Sequence, residues 1–287
     1  MGVPAIDWAL GAAWLVAALT ALILAPRGGR FRGLRGWAAS SAVLAGLLVC
    51  LSRGERWYSF PLLAASMFLG LRGYYSMAPV RSQDRYAILA SYLAVPLALY
   101  PAYVGSTDTF FAAVPVSLFL FIPALVALGG PQPGLLDAMG RTLLGVVFYL
   151  FCAAHLGLLV HVPHAGVLEL FGVLVLAADL PQRLAGRVRP DSGWALPFAG
   201  IFLGLLFAGA LGYLLGPWCG IVDDDGARAG LLTAIAVALG GRVSDAVMRD
   251  LALTSSAAAV GRFSFLRRTV PAVYAAPVFF HYLNHFA

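Results

Sequence analysis

Long apolar stretches separated by short polar segments recur along the whole chain. A membrane-spanning helix needs about 20 mostly apolar residues, and several stretches approach that length. The second and third are short, and one or two of the set are expected to be re-entrant or tilted. The candidates are 8–25, 37–52, 58–72, 86–104, 109–129, 142–160, 165–180, 196–217, 229–247 and 269–286. The pattern predicts an all-α, polytopic integral membrane helix bundle with about nine to ten transmembrane helices.

The arginines are distributed unevenly between the two sides of this predicted bundle. The first apolar stretch has no basic residue before it and several after it, which is the reverse of a cleavable signal peptide. We therefore expect a retained helix with its N-terminus outside. Alternation from that start leaves only Arg53, Arg56 and Arg228 on the outer side, as the positive-inside rule predicts. The expected location is a bacterial-type inner (plasma) membrane, crossed many times, with Arg-rich cytoplasmic loops.

The amino-acid composition agrees with a membrane location and limits which basic side chains are available for binding or catalysis. Hydrophobic residues make up 61% of the chain and charged residues 11%, against roughly 25% charged residues in a soluble domain. All 19 basic residues are arginine, which stays protonated and binds phosphate in a bidentate manner. Codon bias in a GC-rich genome would produce the same composition. A mechanism that requires a lysine is excluded in either case.

Small residues in the eighth stretch form a repeating pattern. Gly200, Gly204, Ala208 and Gly212 are spaced four residues apart and therefore share one face of a helix. Such a ridge allows the backbone of another helix to approach closely. We predict a helix-packing surface here.

The seventh stretch ends in the polar sequence "ADLPQRLAGR". Asp179, Gln182, Arg183 and Arg187 share one face if the helix continues. A break at Pro181 would instead place Asp179 near the N-terminus of a new helix. Both geometries point an acid and two arginines at one interfacial space. Ionisable residues at a membrane span are functional candidates, and a local Asp179–Arg183 ion pair is the alternative interpretation.

More charged residues follow at the predicted cytoplasmic end of the last two stretches. They are Arg242, Asp245, Arg249, Asp250, Arg262, Arg267 and Arg268. Together they form a basic rim with two or three carboxylates, as a site for a lipid or nucleotide phosphate requires. A collar that binds anionic headgroups, worth about 1 kcal/mol per arginine, fits the same charges.

From about Asp84 onward the chain resembles the CDP-diacylglycerol synthase (phosphatidate cytidylyltransferase) family, most strongly over 166–287. "ADLPQRLAGR" resembles the family segment Asn-Asp-x-x-Gln-Tyr-x-x-Gly-Lys/Arg, and "GGRVSDAVMRDLAL" resembles Gly-Asp-Leu-x-x-Ser-x-x-Lys-Arg-Asp-x-Gly. "LRRTVPAVYAAPVFF" resembles Leu-Asp-Arg-x-Asp-Ser and the Ala-Ala-Pro-Val-Phe helix. The matching positions are Asp179, Gln182, Gly186, Arg187, Gly240, Arg249, Asp250, Arg268 and 275–279. The resemblance divides the chain into N-terminal membrane helices, 1–83, and a family-like membrane domain, 84–287.

The resemblance implies a reaction that joins the phosphate of phosphatidic acid to the α-phosphorus of CTP and releases pyrophosphate. In the family, carboxylates hold a divalent metal that stabilises the attacking and leaving oxygens. This chain departs from the pattern at those acids, since Gly241 replaces the Asp of the Gly-Asp pair. Arg267 and Val270 replace both acids of Asp-Arg-x-Asp. An arginine in place of an aspartate repels Mg²⁺ and attracts anions.

We therefore expect a phospholipid-metabolism protein with a cytoplasmic-facing, Arg-rich pocket and weak or lost transferase activity; whether it is an enzyme stays open. Expected phosphate-binding residues are Gln182, Arg187, Arg249, Arg262, Arg267 and Arg268. Expected partners are phosphatidic acid, anionic headgroups, CTP and a second copy of the chain in a homodimer. Nucleic acid is not expected.

Two alternatives remain. The first is an active CTP:phosphatidate cytidylyltransferase whose catalytic acids are Asp179, Asp245 and Asp250. It would hold Mg²⁺ at Asp179 and Asp245, because Asp245 lies one helical turn beyond Gly241. The second is a protein that binds or transports anionic lipids without chemistry.

Overall fold

The computed structural model describes residues 32–78, 81, 84–130, 133–188, 195–254 and 264–286. Across these ranges the chain is helical and contains no strand. The helices are α1 (Arg32–Arg53), α2 (Arg56–Tyr75), α3 (Arg85–Val104), α4 (Thr107–Ala127), α5 (Leu135–Val146), α6 (Ala153–Leu159), α7 (Val167–Val188), α8 (Ala195–Leu215), α9 (Asp223–Thr254) and α10 (Ser264–His285). A π-helical segment, Val147–Cys152, joins α5 to α6, and a 3₁₀ turn, Gly216–Cys219, follows α8.

Six helical segments within the described ranges are long and apolar enough to cross a membrane. They are Gly36–Arg53, Arg85–Val104, Thr107–Ala127, Leu135–Leu159, Phe198–Cys219 and Asp223–Asp250. Each overlaps a predicted stretch, so the prediction of an all-helical protein with several apolar, membrane-length helices is confirmed.

Three further predicted stretches are helical but are not among these six. They correspond to α2, α7 and α10. The remaining stretch, 8–25, lies outside the described residues. The full count of nine to ten transmembrane helices therefore stays a prediction.

Helix α7 continues through Pro181 without a break. Of the two geometries that the sequence left open, the continuous helix is the one adopted. Asp179 and Arg183 therefore lie one turn apart on the same face of α7, which is the spacing of an i,i+4 ion pair.

Helices α1 and α7 pack antiparallel and are joined by polar contacts near both ends. Near the start of α1, Trp37 Nε1 donates a hydrogen bond of 2.7 Å to Asp179 Oδ2. At the end of α1, Arg53 Nε lies 3.1 Å from Glu169 Oε1, and the Glu169 side chain is fully buried. Because both contacts involve a charged group with little access to water, they fix the register of the two helices.

The small-residue ridge of α8 packs against α7 on one side and α9 on the other. A Cβ added to Gly204 would lie 2.6 Å from the backbone oxygen of Ala178 on α7. A Cβ on Gly212 would overlap the backbone oxygen of Gly226 on α9. The predicted helix-packing role of this ridge is confirmed.

Helices α9 and α10 also run antiparallel. Tyr282 Oη, near the end of α10, donates a hydrogen bond of 2.9 Å to Asp225 Oδ1 in the first turn of α9. Further along α9, a Cβ on Gly240 would lie 2.9 Å from Tyr274 Cβ, in the first half of α10. The end of α9 and the start of α10 therefore lie at the same end of the bundle.

The turn after α6 is fixed against the end of α3. The Nε2 atom of His161 lies 2.7 Å from the backbone oxygen of Ala102, and burial lowers the pKa of His161 below its usual value. Gly105 ends α3 at φ 78°, and a Cβ there would meet the imidazole of His161 at 2.7 Å. A left-handed backbone beside an aromatic ring requires glycine at this position.

Candidate functional site

A mainly apolar cavity of about 200 Å³ lies between α1, α2, the π-helical segment, α6, α7 and α10. Leu44, Leu47, Leu63, Met67 and Val273 form much of its wall. The polar lining residues are Trp37, Ser40, Ser41, Ser66, Tyr149, Asp179 and Thr269. An apolar pocket with a few converging polar groups is the usual form of a small-molecule or lipid site.

Of the described residues that line this cavity, Asp179 is the acidic one. Its Oδ2 atom accepts hydrogen bonds from Trp37 Nε1, at 2.7 Å, and from Arg183 Nε. The side chains of Asp179 and Arg183 are 13% and 9% exposed. Their opposite charges compensate each other, which makes a carboxylate tolerable at this depth.

The start of α10 meets the cavity at Thr269. The hydroxyl groups of Thr269 and Tyr149 lie 2.8 Å apart and share a hydrogen bond. Tyr149 belongs to the π-helical segment, a type of irregularity that is frequent at functional sites. Two predicted phosphate-binding residues, Arg267 and Arg268, directly precede Thr269 in the first turn of α10. Their backbone is therefore close to the cavity that contains Asp179, whereas Arg262 lies outside the described residues.

Asp250, predicted as a catalytic acid, contacts an arginine of another helix. Arg141 Nη2, on α5, lies 3.5 Å from Asp250 Oδ2 and 3.0 Å from Asp137 Oδ2. The Asp250 side chain is 62% exposed, and the Arg141 side chain is 16% exposed. Arg141 was not among the predicted site residues. The spacing of Asp137 and Arg141 indicates their own pairing, but no local pattern indicates the contact with Asp250.

Asp245, Gln182 and Arg249 lie near the same end of the bundle and are not among the residues that line the cavity. Asp245 is half-buried on α9, and its backbone oxygen accepts a hydrogen bond of 3.2 Å from Arg249 Nε. Gln182 Nε2 donates to the backbone oxygen of Ala178 at 3.0 Å. Arg187 lies in the last turn of α7. Asp179 and the start of α10, at Thr269, therefore both line the cavity. Asp245 and Asp250 are not among its lining residues.

We use the name "basic end" for the end of the bundle where α7 and α9 finish and α10 begins. Its arginines are Arg183, Arg187, Arg242, Arg249, Arg267 and Arg268. Asp179 and Asp250 each form an ion pair with an arginine. With Asp245 included, the six arginines of these helix ends outnumber the three carboxylates, and this balance of charge favours anions.

The donor set does not fit the Mg²⁺ that the family resemblance implies. The carboxylate of Asp179 is already bound to a guanidinium group and an indole N–H. Across the described ranges, no group of three or more His, Cys, Asp or Glu side chains is arranged to hold a metal ion. Mg²⁺ requires near-octahedral oxygen coordination, usually through one or two available carboxylates. We therefore derive no catalytic step through a metal.

These features define a helical, membrane-type protein with an apolar cavity and a strongly basic end. Comparison with known proteins found no matching family model, no matching curated protein and no matching solved structure.

Proposed function

We propose that this chain is a phosphatidate cytidylyltransferase-like membrane protein of phospholipid metabolism with weak or lost transferase activity. On this proposal, its basic end binds the phosphate of phosphatidic acid or of a nucleotide. The observation that carries the proposal is the convergence of three arginine-bearing helix termini. Thr269 and Asp179 line one cavity, which brings the start of α10 to the end of α7. The packing of Gly240 against Tyr274 brings the end of α9 to the same place.

The chemistry of this end suits a phosphate monoester better than a metal-bridged pair of phosphates. Arginine presents its donors in a planar fork that fits two phosphate oxygens. Asp179 and Asp250 each form an ion pair with an arginine, Arg183 and Arg141 respectively. Binding without a metal holds the phosphate but supplies no Lewis acid for the transfer of a nucleotidyl group.

One observation favours the alternative of an active transferase. A Cβ added to Gly241, the position of the missing family aspartate, meets no atom within 4 Å. Asp245 lies one turn further along α9. Open space beside a half-buried carboxylate is what a rebuilt metal site would need. An active transferase would require Asp245 for turnover. The phosphate-binding proposal instead requires the arginines of the basic end for lipid binding.

Purified full-length protein, supplied with radiolabelled CTP, phosphatidic acid and Mg²⁺, separates these proposals. We expect no incorporation of label and saturable binding to vesicles that contain phosphatidic acid. Arg267→Ala should weaken that binding about fivefold, since one arginine near an anionic surface is worth about 1 kcal/mol. Arg228→Ala is the matched control, because Arg228 lies in the first turns of α9, away from the basic end. Turnover that is lost in Asp245→Ala but kept in Arg267→Ala would establish the active enzyme instead.

Gly241→Asp tests the charge argument in the opposite direction. The open space at Gly241 predicts that the variant folds like the wild type. The added carboxylate should weaken binding to phosphatidic acid vesicles about fivefold, by the same charge increment. Gly240→Asp is the structural control, since its Cβ would lie 3.0 Å from Pro271 Cα and should disturb α9–α10 packing. Unchanged or tighter binding in a folded Gly241→Asp variant would count against a phosphate site at this end.

A further inference from the structure

The cavity reaches a side of the bundle where apolar side chains are exposed. Val43 of α1 and Leu69 of α2 both line it, and they are 72% and 57% exposed. In a membrane-spanning bundle, exposed side chains of this kind face lipid. Because these two lining residues are exposed, we place the mouth of the cavity at Val43 and Leu69. Its mouth is therefore accessible to a hydrocarbon chain from the bilayer.

Among the described residues that line the cavity, Asp179 carries a negative charge and no arginine is present. Asp179 lines the cavity, whereas Arg183, its ion-pair partner, is not among the lining residues. A phosphate that entered here would meet the negative member of the pair first. Like charges close together in a medium of low dielectric constant repel strongly. The cavity therefore disfavours the anion that the basic end attracts.

The same carboxylate is well suited to accept a hydroxyl group. An ionised carboxylate has about four lone-pair sites, and two donors, Trp37 Nε1 and Arg183 Nε, bind the Oδ2 atom of Asp179. Two of the lining hydroxyl groups donate elsewhere, since Ser40 and Ser66 bond to backbone oxygens of their own helices. They face a ligand mainly as acceptors. The polar end thus selects a donor, such as an alcohol, over a further acceptor.

The size of the cavity limits its occupant. Its volume of about 200 Å³ is below the roughly 300–1,000 Å³ of pockets that enclose a whole drug-sized ligand. A two-chain lipid does not fit inside. Part of one chain and the adjoining polar group fit, provided that the remainder stays in the bilayer beyond the mouth at Val43 and Leu69.

We infer that this cavity is a lateral binding site for an uncharged glycerolipid with a free hydroxyl group, of the diacylglycerol class. Part of one acyl chain enters between α1 and α2, and the hydroxyl group donates a hydrogen bond to Asp179. The lipid carries no phosphate, so this site is separate from the phosphate site proposed at the basic end. Its occupancy does not depend on whether that proposal holds.

Photolabelling in lipid vesicles tests the inference directly. The probe is a diacylglycerol with a diazirine in one acyl chain, added to full-length protein in phosphatidylcholine vesicles. We expect saturable labelling of α1 and α2 peptides that contain Val43 and Leu69. Unlabelled diacylglycerol should compete, and phosphatidic acid with the same chains should compete at least tenfold less well. That ratio corresponds to the loss of about one charge-assisted hydrogen bond.

Two variants with controls locate the site. Leu69→Trp should fill the mouth and reduce saturable labelling, whereas Leu97→Trp should not. Leu97 is the matched control because it is 56% exposed on α3 and does not line the cavity. Asp179→Asn combined with Arg183→Gln removes both charges together and keeps an acceptor for Trp37. We expect this double variant to fold and to lose the preference for diacylglycerol over phosphatidic acid.

Several results would overturn the inference. Equal competition by phosphatidic acid would remove the role of the carboxylate. Equal loss of labelling in Leu69→Trp and Leu97→Trp would show that the probe samples the general lipid surface. Labelling absent from the α1 and α2 peptides would show that the mouth is closed. None of these results depends on whether Arg267→Ala weakens binding of the protein to phosphatidic acid vesicles. The proposed function is therefore tested separately.

Discussion

Arg53→Gln is expected to lower the free energy of unfolding by about 3–5 kcal/mol, the cost of leaving a buried charge without its partner. Glu169 is fully buried, and its Oε1 atom lies 3.1 Å from Arg53 Nε. Its second oxygen, Oε2, is also buried and has no hydrogen-bond partner among the residues that the structure describes. Removal of the guanidinium group would leave this carboxylate uncompensated in the seam between α1 and α7. Denaturant unfolding of the protein in mixed lipid–detergent micelles measures the change.

Two further variants separate this effect from a general loss of a surface charge. Arg228→Gln removes another arginine from an ion pair, with Asp225, but the Arg228 side chain is 65% exposed. We expect a change within about 1 kcal/mol, as for other exposed pairs. The double variant of Arg53→Gln and Glu169→Gln should recover most of the lost stability, because no buried charge remains. A double variant as unstable as Arg53→Gln would show that side-chain packing, and not charge compensation, is responsible.

The helical elements and one packing surface followed directly from the sequence. Apolar stretches of about 20 residues specify helices because backbone polar groups in lipid must bond within their own segment. The ridge of α8 was also predictable, since a four-residue spacing of Gly200 and Gly204 is a local property of the chain. The continuation of α7 through Pro181 could not be predicted from the sequence, because local rules for proline favour a break there. Packing against α8 and the bond from Trp37 to Asp179 hold the helix together.

The candidate site was predictable only in part, for a similar reason. Asp179 and the arginines at the start of the last helix stand out as charges beside apolar stretches. Trp37, Tyr149 and Thr269 do not stand out, since each becomes a site residue through a contact with a distant helix. Trp37 and Asp179 are separated by 142 residues, and Tyr149 and Thr269 by 120. Local spacing carries no information about contacts of that range.

The arginines predicted for the outer side also have structural explanations. Arg53 compensates Glu169, and Arg228 lies 3.1 Å from Asp225. Arg56 Nη1 donates a hydrogen bond of 3.3 Å to the backbone oxygen of Tyr103. Each exception to the positive-inside distribution therefore has a specific local partner.

Gly230→Ala is expected to destabilise the protein by about 1–3 kcal/mol, the usual cost of added volume in a packed interface. Gly230 is buried where α9 crosses α8, and a Cβ there would overlap the backbone oxygen of Ala208. The obstacle is a carbonyl group inside a regular helix, so no side-chain rotation relieves it. The two helices must separate, which also loosens the contact of Gly226 with Gly212. Unfolding measurements in mixed micelles would detect this change.

Gly140→Ala provides the matched control, with an effect of opposite sign. A Cβ on Gly140, within α5, meets no atom within 4 Å. Alanine in a helix interior is favoured over glycine by about 0.5–1 kcal/mol, because glycine loses more backbone entropy on folding. This variant should therefore be as stable as the wild type or more stable. If Gly230→Ala were stabilised equally, helix propensity would dominate at both positions, and the close crossing of α8 and α9 would not limit stability.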